Sequence, residues 1–285
     1  MRKLYLLLLS AFLLNGCIKN NPDPSWLEVT EWTLKANPNA EYIEGEMTHN
    51  FTDAWVYVND EVIGVFEVPF KIPILTSGPV NIKIYPTIRN NGISASKKIY
   101  PFVDYFEVDT ILTQNATLTL HPETKYKSFT QFWLEEFEDA AIKIENDPIS
   151  LTTLTKANDP AILQWGNFYG EINLNSIDSM WVGYSESMNL PRGQEVYLEV
   201  DYYNTNSLIT GILGISPTEV KNNRNITINK QNPDNIKWKK IYIDLKEIVS
   251  NSPNADYFKQ SFEAFLEPDK TESFIRVDNI KVVHF

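Results

Sequence analysis

The sequence predicts an all-β protein built as two β-sandwich domains in series. Three observations predict it. Apolar residues recur with a period of two along most of the folded part, as strands with one buried face require. Asn, Asp, Gly and Pro punctuate these runs at short intervals, marking turns. A hydrophobic content of 43% and an aromatic content of 13% over 285 residues suffice for two packed cores.

The first domain is expected over 26–122. Asp53–Asn59 sets Trp55 and Tyr57 against Ala54, Val56 and Val58, and Asn59-Asp60-Glu61 is a polar turn before the return run Val62–Phe66. This is a hairpin pattern. Val80–Tyr85 alternates again, Asn91-Gly92 is a turn signal between Ile88 and Ile93, and Ala116–Leu120 closes the set. Pro69, Pro73, Pro79, Pro86 and Pro101 fall at the edges of these runs, where a missing N–H is tolerated. Several short strands of this kind outline an immunoglobulin-like β-sandwich. Residues 123–134 read as a polar linker carrying Phe129, Phe132 and Trp133, which are expected to pack at a domain interface.

The second domain is expected over 135–285. Its runs are Ala141–Glu145, Gly170–Leu174, Glu195–Tyr202, Leu208–Ile212, Lys239–Leu245, Ser261–Phe265 and Phe274–Val283. Turn-separated strands with one longer loop suggest a two-sheet jelly roll. Only Leu245–Val249 hints at a helical turn, and no internal repeat or low-complexity tract is visible.

The N-terminus carries a different pattern. Met1-Arg2-Lys3 precedes an apolar run from Leu4 to Leu14, followed by Asn15-Gly16-Cys17. This order is that of a secretion signal, and the run is shorter than the about 20 residues a spanning helix needs. Leu14-Asn15-Gly16-Cys17 resembles the lipobox of bacterial lipoproteins. The resemblance implies a signal peptide over 1–16, a lipid on Cys17, a tether over 17–25 and localisation at the cell outer membrane. Cys17 is the only cysteine, so disulfides, thiol catalysis and zinc–thiolate sites are excluded from the folded part. The net charge of −12 disfavours nucleic acid and anionic lipid surfaces as partners.

Phe137-Glu138-Asp139, Leu198-Glu199-Val200-Asp201-Tyr202, Trp238–Leu245 and Val277-Asp278-Asn279-Ile280 together resemble carbohydrate-binding-module and galactose-binding-like jelly rolls. In such modules a structural calcium often clips the first strand to the last, and the resemblance places Glu138 and Asp278 at the corresponding acids. Calcium takes about six to eight oxygens, so backbone carbonyls would have to complete that shell. The whole layout resembles envelope lipoproteins of the Bacteroidota type.

Catalytic chemistry has little support. His49, His121 and His284 are scattered, and no metalloprotease, serine-hydrolase or phosphate-loop motif occurs. Glu199-x-Asp201-x-x-Asn204 matches two acids of a glycosidase pattern but has an amide where the third belongs. The same strand alternates Val196, Leu198, Val200 and Tyr202 on one face with Tyr197, Glu199, Asp201 and Tyr203 on the other. The second set is a candidate glycan-binding face, since aromatic rings stack on sugars and carboxylates accept hydroxyl hydrogen bonds. Trp165, Trp181 and Trp238 could serve the same end, although tryptophan in a sandwich is more often core. The expectation is a non-enzymatic, lipid-anchored interaction subunit that binds an outer-membrane protein partner. The alternative is a surface glycan-binding lipoprotein that uses its jelly roll. No cofactor is required by either.

Overall fold

The computed structural model describes residues 23–285; the expected signal peptide, Cys17 and most of the tether lie outside the described residues. The N-terminal strands are β1 (Ser25–Val29), β2 (Thr33–Leu34), β3 (Asp53–Val58), β4 (Glu61–Glu67), β5 (Phe70–Ile74), β6 (Gly78–Arg89), β7 (Lys97–Ile99), β8 (Phe106–Leu112), β9 (Thr117–Leu120) and β10 (Glu123–Thr124). The C-terminal strands are β11 (Gln131–Glu135), β12 (Ile144–Asn146), β13 (Thr155–Ala157), β14 (Tyr169–Asn175), β15 (Met180–Ser185), β16 (Val196–Asn204), β17 (Leu208–Ile215), β18 (Val220–Ile228), β19 (Lys239–Asp244), β20 (Tyr257–Phe265) and β21 (Glu272–His284). Among the described residues one short α-helix, α1 (Lys246–Ser250), falls where the sequence hints at a helical turn.

In the N-terminal sandwich, β6 is the organising strand. It pairs with β3 on one edge and with β8 and then β7 on the other, while β4 extends the sheet beyond β3. The small sheet β5-β1-β9 and the pair β10-β2 complete the domain. Leu27, Val29, Val56, Val58, Ile82 and Ile84 alternate inward and meet in its core. The β3–β4 turn places Asn59 and Asp60 at φ 51° and 62°, the left-handed conformation a tight hairpin demands.

The C-terminal jelly roll stacks the sheet β13-β14-β21-β16-β19 on the sheet β12-β15-β20-β17-β18. The 13-residue β21 carries β14 along its first half and β11 along its second, on one edge, with β16 on the other. Thus Gln131–Glu135, part of the segment read as linker, is a strand of this sheet. Strands β13, β15 and β18 of this domain, like β1, β2, β5, β7, β8 and β10 of the N-terminal one, match no run named in the sequence reading. β18 is an edge strand of mostly polar residues paired with β17; only Ile226 and Ile228 at its end reach the core, too few to show a period of two.

The two sandwiches share a core. Tyr197, Tyr242 and Val283 of the jelly roll pack within the hydrophobic cluster of the N-terminal domain. The Asn91-Gly92 turn, at φ 56° and 72°, docks on β19. The Asn91 N–H donates to the Tyr242 carbonyl at 2.9 Å, and the Asn91 side-chain oxygen accepts the Asp244 N–H at 2.8 Å. The turn thereby covers an edge that would otherwise present unpaired backbone groups.

Candidate functional site

Alternation along β16 assigns its faces as the pleat requires. Val196, Leu198 and Val200 belong to the jelly-roll core, with Tyr202 packed against it. Tyr197, Glu199, Asp201 and Tyr203 take the other side. The expectation of an open glycan face fails for the first three, because the N-terminal sandwich lies over them. Tyr197 and Glu199 are 0% exposed and Asp201 1%. Only Tyr203 remains partly accessible.

Burial of these acids is possible because each has partners. Glu199 accepts hydrogen bonds from the phenols of Tyr100 and Tyr126 and lies 3.1 Å from the Lys240 ammonium. Asp201 accepts from the Thr48 hydroxyl at 2.6 Å, and Lys240 donates to the same hydroxyl at 2.9 Å. Lys281, 0% exposed, donates to the carbonyls of Glu44 and Glu46 at 2.6 Å each and lies over the Tyr126 ring. Burial alone would raise the Glu199 carboxyl, but Lys240 and Lys281 hold it below the usual range. Burial raises Asp201 and lowers Lys281 to about 8. Asn204, the amide at the end of the glycosidase-like triplet, is also buried and donates to the Asn206 carbonyl at 2.7 Å. This set is an interdomain clamp, closed to a substrate.

Beside the clamp, where the covering domain ends, a cleft of about 660 Å³ opens between the two sandwiches. Its jelly-roll wall comes from the 164–165 loop and the start of β19, with Gln164, Trp165, Lys237, Trp238 and Lys239. Its opposite wall comes from the N-terminal domain, with His49, Asn50 and Arg89. Trp238 and Trp165 are both half-buried and meet edge to face at 5.7 Å. The Trp238 indole N–H donates to the Ile162 carbonyl at 2.7 Å, which fixes the ring. Tyr203 abuts Trp238 at 5.8 Å and stacks on Phe274 at 5.9 Å, with the Arg276 guanidinium 4.2 Å from the Phe274 ring centre. The aromatic surface at the cleft therefore runs on over the uncovered end of the sheet. His49 stacks on Phe51, and burial, with Lys240 nearby, depresses its pKa. His121 and His284 lie apart from it, at the Thr30 hydroxyl and the Phe285 carbonyl.

Of the three tryptophans weighed from sequence, Trp181 is core at 1% exposure while Trp165 and Trp238 line the cleft. The basic residues around Trp238 and the wall supplied by the N-terminal domain were not anticipated. The juxtaposition Lys237-Trp238-Lys239 was the available signal.

Glu138 and Asp278 do come together, at a second pocket of about 310 Å³ that also includes Glu46 and Glu136. The Glu138 carboxylate accepts the backbone N–H groups of Asn167 and Phe168 and the Asn167 side-chain amide, at 2.7 to 2.9 Å. Burial would raise Glu138, and these donors bring it below the usual carboxylate range. Burial pushes Asp278 up to about 8, against the Asn279 N–H bond and with Asp201, Glu136 and Glu138 adding to the rise. Among the described residues no three His, Cys, Asp or Glu side chains converge to hold a metal ion. As arranged, the Glu138 carboxylate staples the 166–168 loop, and Asp278 faces the same pocket.

No protein-family model matches this chain, and no curated protein matches it. Among solved structures it is similar to the CBM22-2 xylan-binding domain of Xyn10C from Paenibacillus barcinonensis, with 13% identity and a TM-score of 0.40 over 54% of this chain and 99% of that one. It is similar to a carbohydrate-binding module of the β-sandwich superfamily, with 13% identity and a TM-score of 0.39 over 81% of this chain and 84% of that one. The likeness to the enzymatically active domain of bacteriophage CBA120 tailspike protein 4 has a TM-score of 0.35 and spans 19% of that chain. At 11–13% identity and TM-scores of 0.35–0.40 these likenesses carry no argument about the site, and the chemistry of the cleft stands on its own geometry.

Proposed function

We propose that the protein is a non-catalytic carbohydrate-binding protein whose ligand lies in the interdomain cleft. One observation carries this reading: a fixed Trp165–Trp238 pair, only half-buried, lines a cleft whose remaining lining is rich in hydrogen-bonding groups. Indole faces pack on the apolar faces of sugar rings, while Asn50 and Gln164 match their hydroxyls. The glycan site thus moves off Tyr197, Glu199 and Asp201, and Tyr203 stands at its margin. The lipobox-like Cys17 supports a lipid-anchored place at the outer membrane, with the cleft held near that surface. The test is a glycan screen with the intact chain and with Trp165→Ala and Trp238→Ala. Binding that is lost in both variants is expected. No binding to any glycan, or binding indifferent to both substitutions, sinks the reading.

A second reading, an envelope protein partner, is favoured by strand β4. It is a free sheet edge with Val62 58% and Ile63 37% exposed, the kind of edge that accepts an added strand. Crosslinking in intact membranes that yields no adduct from β4 positions would remove it.

A further inference from the structure

The cleft has a sign opposite to that of the chain. The protein carries a net charge of −12, yet this cleft is lined by Arg89, Lys237, Lys239 and Lys240 against the single acid Asp201. Asp201 is already matched, since it lies 3.5 Å from the Lys240 ammonium within the buried clamp. Lys237 and Lys239 differ from Lys240. Both are exposed, both flank Trp238, and neither has an ion-pair partner among the described residues. From the facing wall, Arg89 reaches Glu67 at 3.0 Å and its Nε lies 3.8 Å from the buried Asp53 carboxylate, so this cation is already paired. Basic groups thus stand on both sides of the tryptophan pair, and two of them are free to meet a ligand anion.

The neighbouring pocket is the reverse. Glu46, Glu136, Glu138 and Asp278 line it, and Trp165 belongs to both pockets. A polymer crossing Trp165 therefore passes from a basic to an acidic environment within one side chain. A nucleic-acid strand, with a phosphate at every residue, would be repelled there. A polysaccharide with spaced acidic substituents can place an anion beside Lys237 and Lys239 and a neutral ring beside the acids.

We propose that the glycan taken by this cleft is anionic, a polysaccharide bearing carboxylate or sulfate groups read by Lys237 and Lys239. The proposal rests on the cleft as the sugar site and adds the class of sugar. Local positive potential in a partly enclosed cleft attracts such a ligand despite the overall charge, and salt screens the attraction.

The experiment is affinity electrophoresis and calorimetry of the intact chain against hyaluronan, which carries a carboxylate on alternate sugars, κ-carrageenan, which carries a sulfate on alternate sugars, neutral xylan and galactan, and a single-stranded oligothymidylate. Binding to one or both acidic polymers is expected, weakened about tenfold in Lys237→Glu/Lys239→Glu and by about 0.5 M salt. Trp238→Ala should abolish it. The two acidic arms tell carboxylate from sulfate. Neutral polymers bound as well as acidic ones, with Trp238 needed and the lysines not, would overturn the charge assignment and leave the sugar site intact. Oligothymidylate bound with the same lysine dependence would also overturn it. Failure of every polymer would instead remove the sugar site itself.

Discussion

Tyr197, Glu199 and Asp201 point to the same side of β16 as Tyr203, yet the first three are sealed and the last lies at the margin of a cleft. All four occupy alternate positions of one strand. The difference comes from the N-terminal sandwich, which ends part-way along the sheet. Under it, charge is tolerated only in matched sets, and Glu199, Asp201, Lys240 and Lys281 are tied to phenols, a hydroxyl and carbonyls. Beyond it, aromatic rings stay accessible and lysines stay unpaired. The comparison teaches that one strand face can serve cohesion along one half and stay open along the other, with the border set by the neighbouring domain.

The largest effect should come from the covered half. Glu199→Gln leaves the buried Lys240 ammonium with Asp201 as its one remaining carboxylate, and breaking a buried pair from one side costs up to roughly 3–5 kcal/mol. Denaturant unfolding should show that loss. The double replacement Glu199→Leu/Lys240→Met should recover only part of it, because the Tyr100 and Tyr126 phenols then lose their acceptor and Asp201 its ammonium. A double variant as unstable as the single one would mean that the acids do more than balance charge.

Next is the pH response of the clamp and of the acidic pocket beside it. An unfolded aspartate titrates at about 3.9, while Asp278 in the folded chain titrates at about 8. Across that window the folded state holds a proton that the unfolded state has lost, so stability falls as pH rises. Lys281 acts in the opposite sense. Its folded value of about 8 lies below its ordinary one, so stability returns as pH climbs beyond 8 toward the range of free lysine. Melting temperature against pH should pass through a minimum near 8. Asp278→Asn should flatten the descending limb, and an unchanged slope would clear Asp278 of the effect.

The border between the halves is set in part by the Asn91-Gly92 turn. A β-carbon on Gly92 would sit 3.0 Å from the Ile241 side chain, at a backbone φ of 72° that other residues avoid. Gly92→Val should cost about 1–2 kcal/mol through that strain. It should loosen β19 and raise amide exchange at Tyr242 and Asp244; equal exchange in both proteins would show that the turn only caps the edge.

The smallest effect on folding should come from the open half. Tyr203→Ala removes an accessible ring that abuts Trp238 and stacks on Phe274, so stability should change by about 1 kcal/mol or less. Glycan affinity should fall several-fold while the pH profile of unfolding is unmoved. A stability loss as large as that of Glu199→Gln would erase the distinction between the halves.

The fold was legible in many, though not all, of the strands with a buried face. β3, β6, β16, β19 and β21 show their period of two, and the turns at Asn59-Asp60 and Asn91-Gly92 are written in residues that tolerate positive φ. β18 was not legible, because a polar edge strand is held by backbone hydrogen bonds that any side chain permits. β11 was hidden because Phe132 and Trp133 read as interface residues whether or not their backbone is extended. Of the site, the two tryptophans were named and the lysines beside them were not, since an unpaired lysine differs from a paired one only in what the fold brings near it.

By itself, the amino-acid order determined the all-β class, most of the strands, the division of β16 into two faces, and the lipobox-like motif at Cys17. These are local properties, set by side-chain alternation and turn stereochemistry within a few residues. The tertiary structure alone decided which part of that face is clamp and which is cleft, and that a chain of strongly negative charge presents a basic groove. Burial and electrostatic potential are sums over residues distant in sequence, so they exist only once the two sandwiches have met.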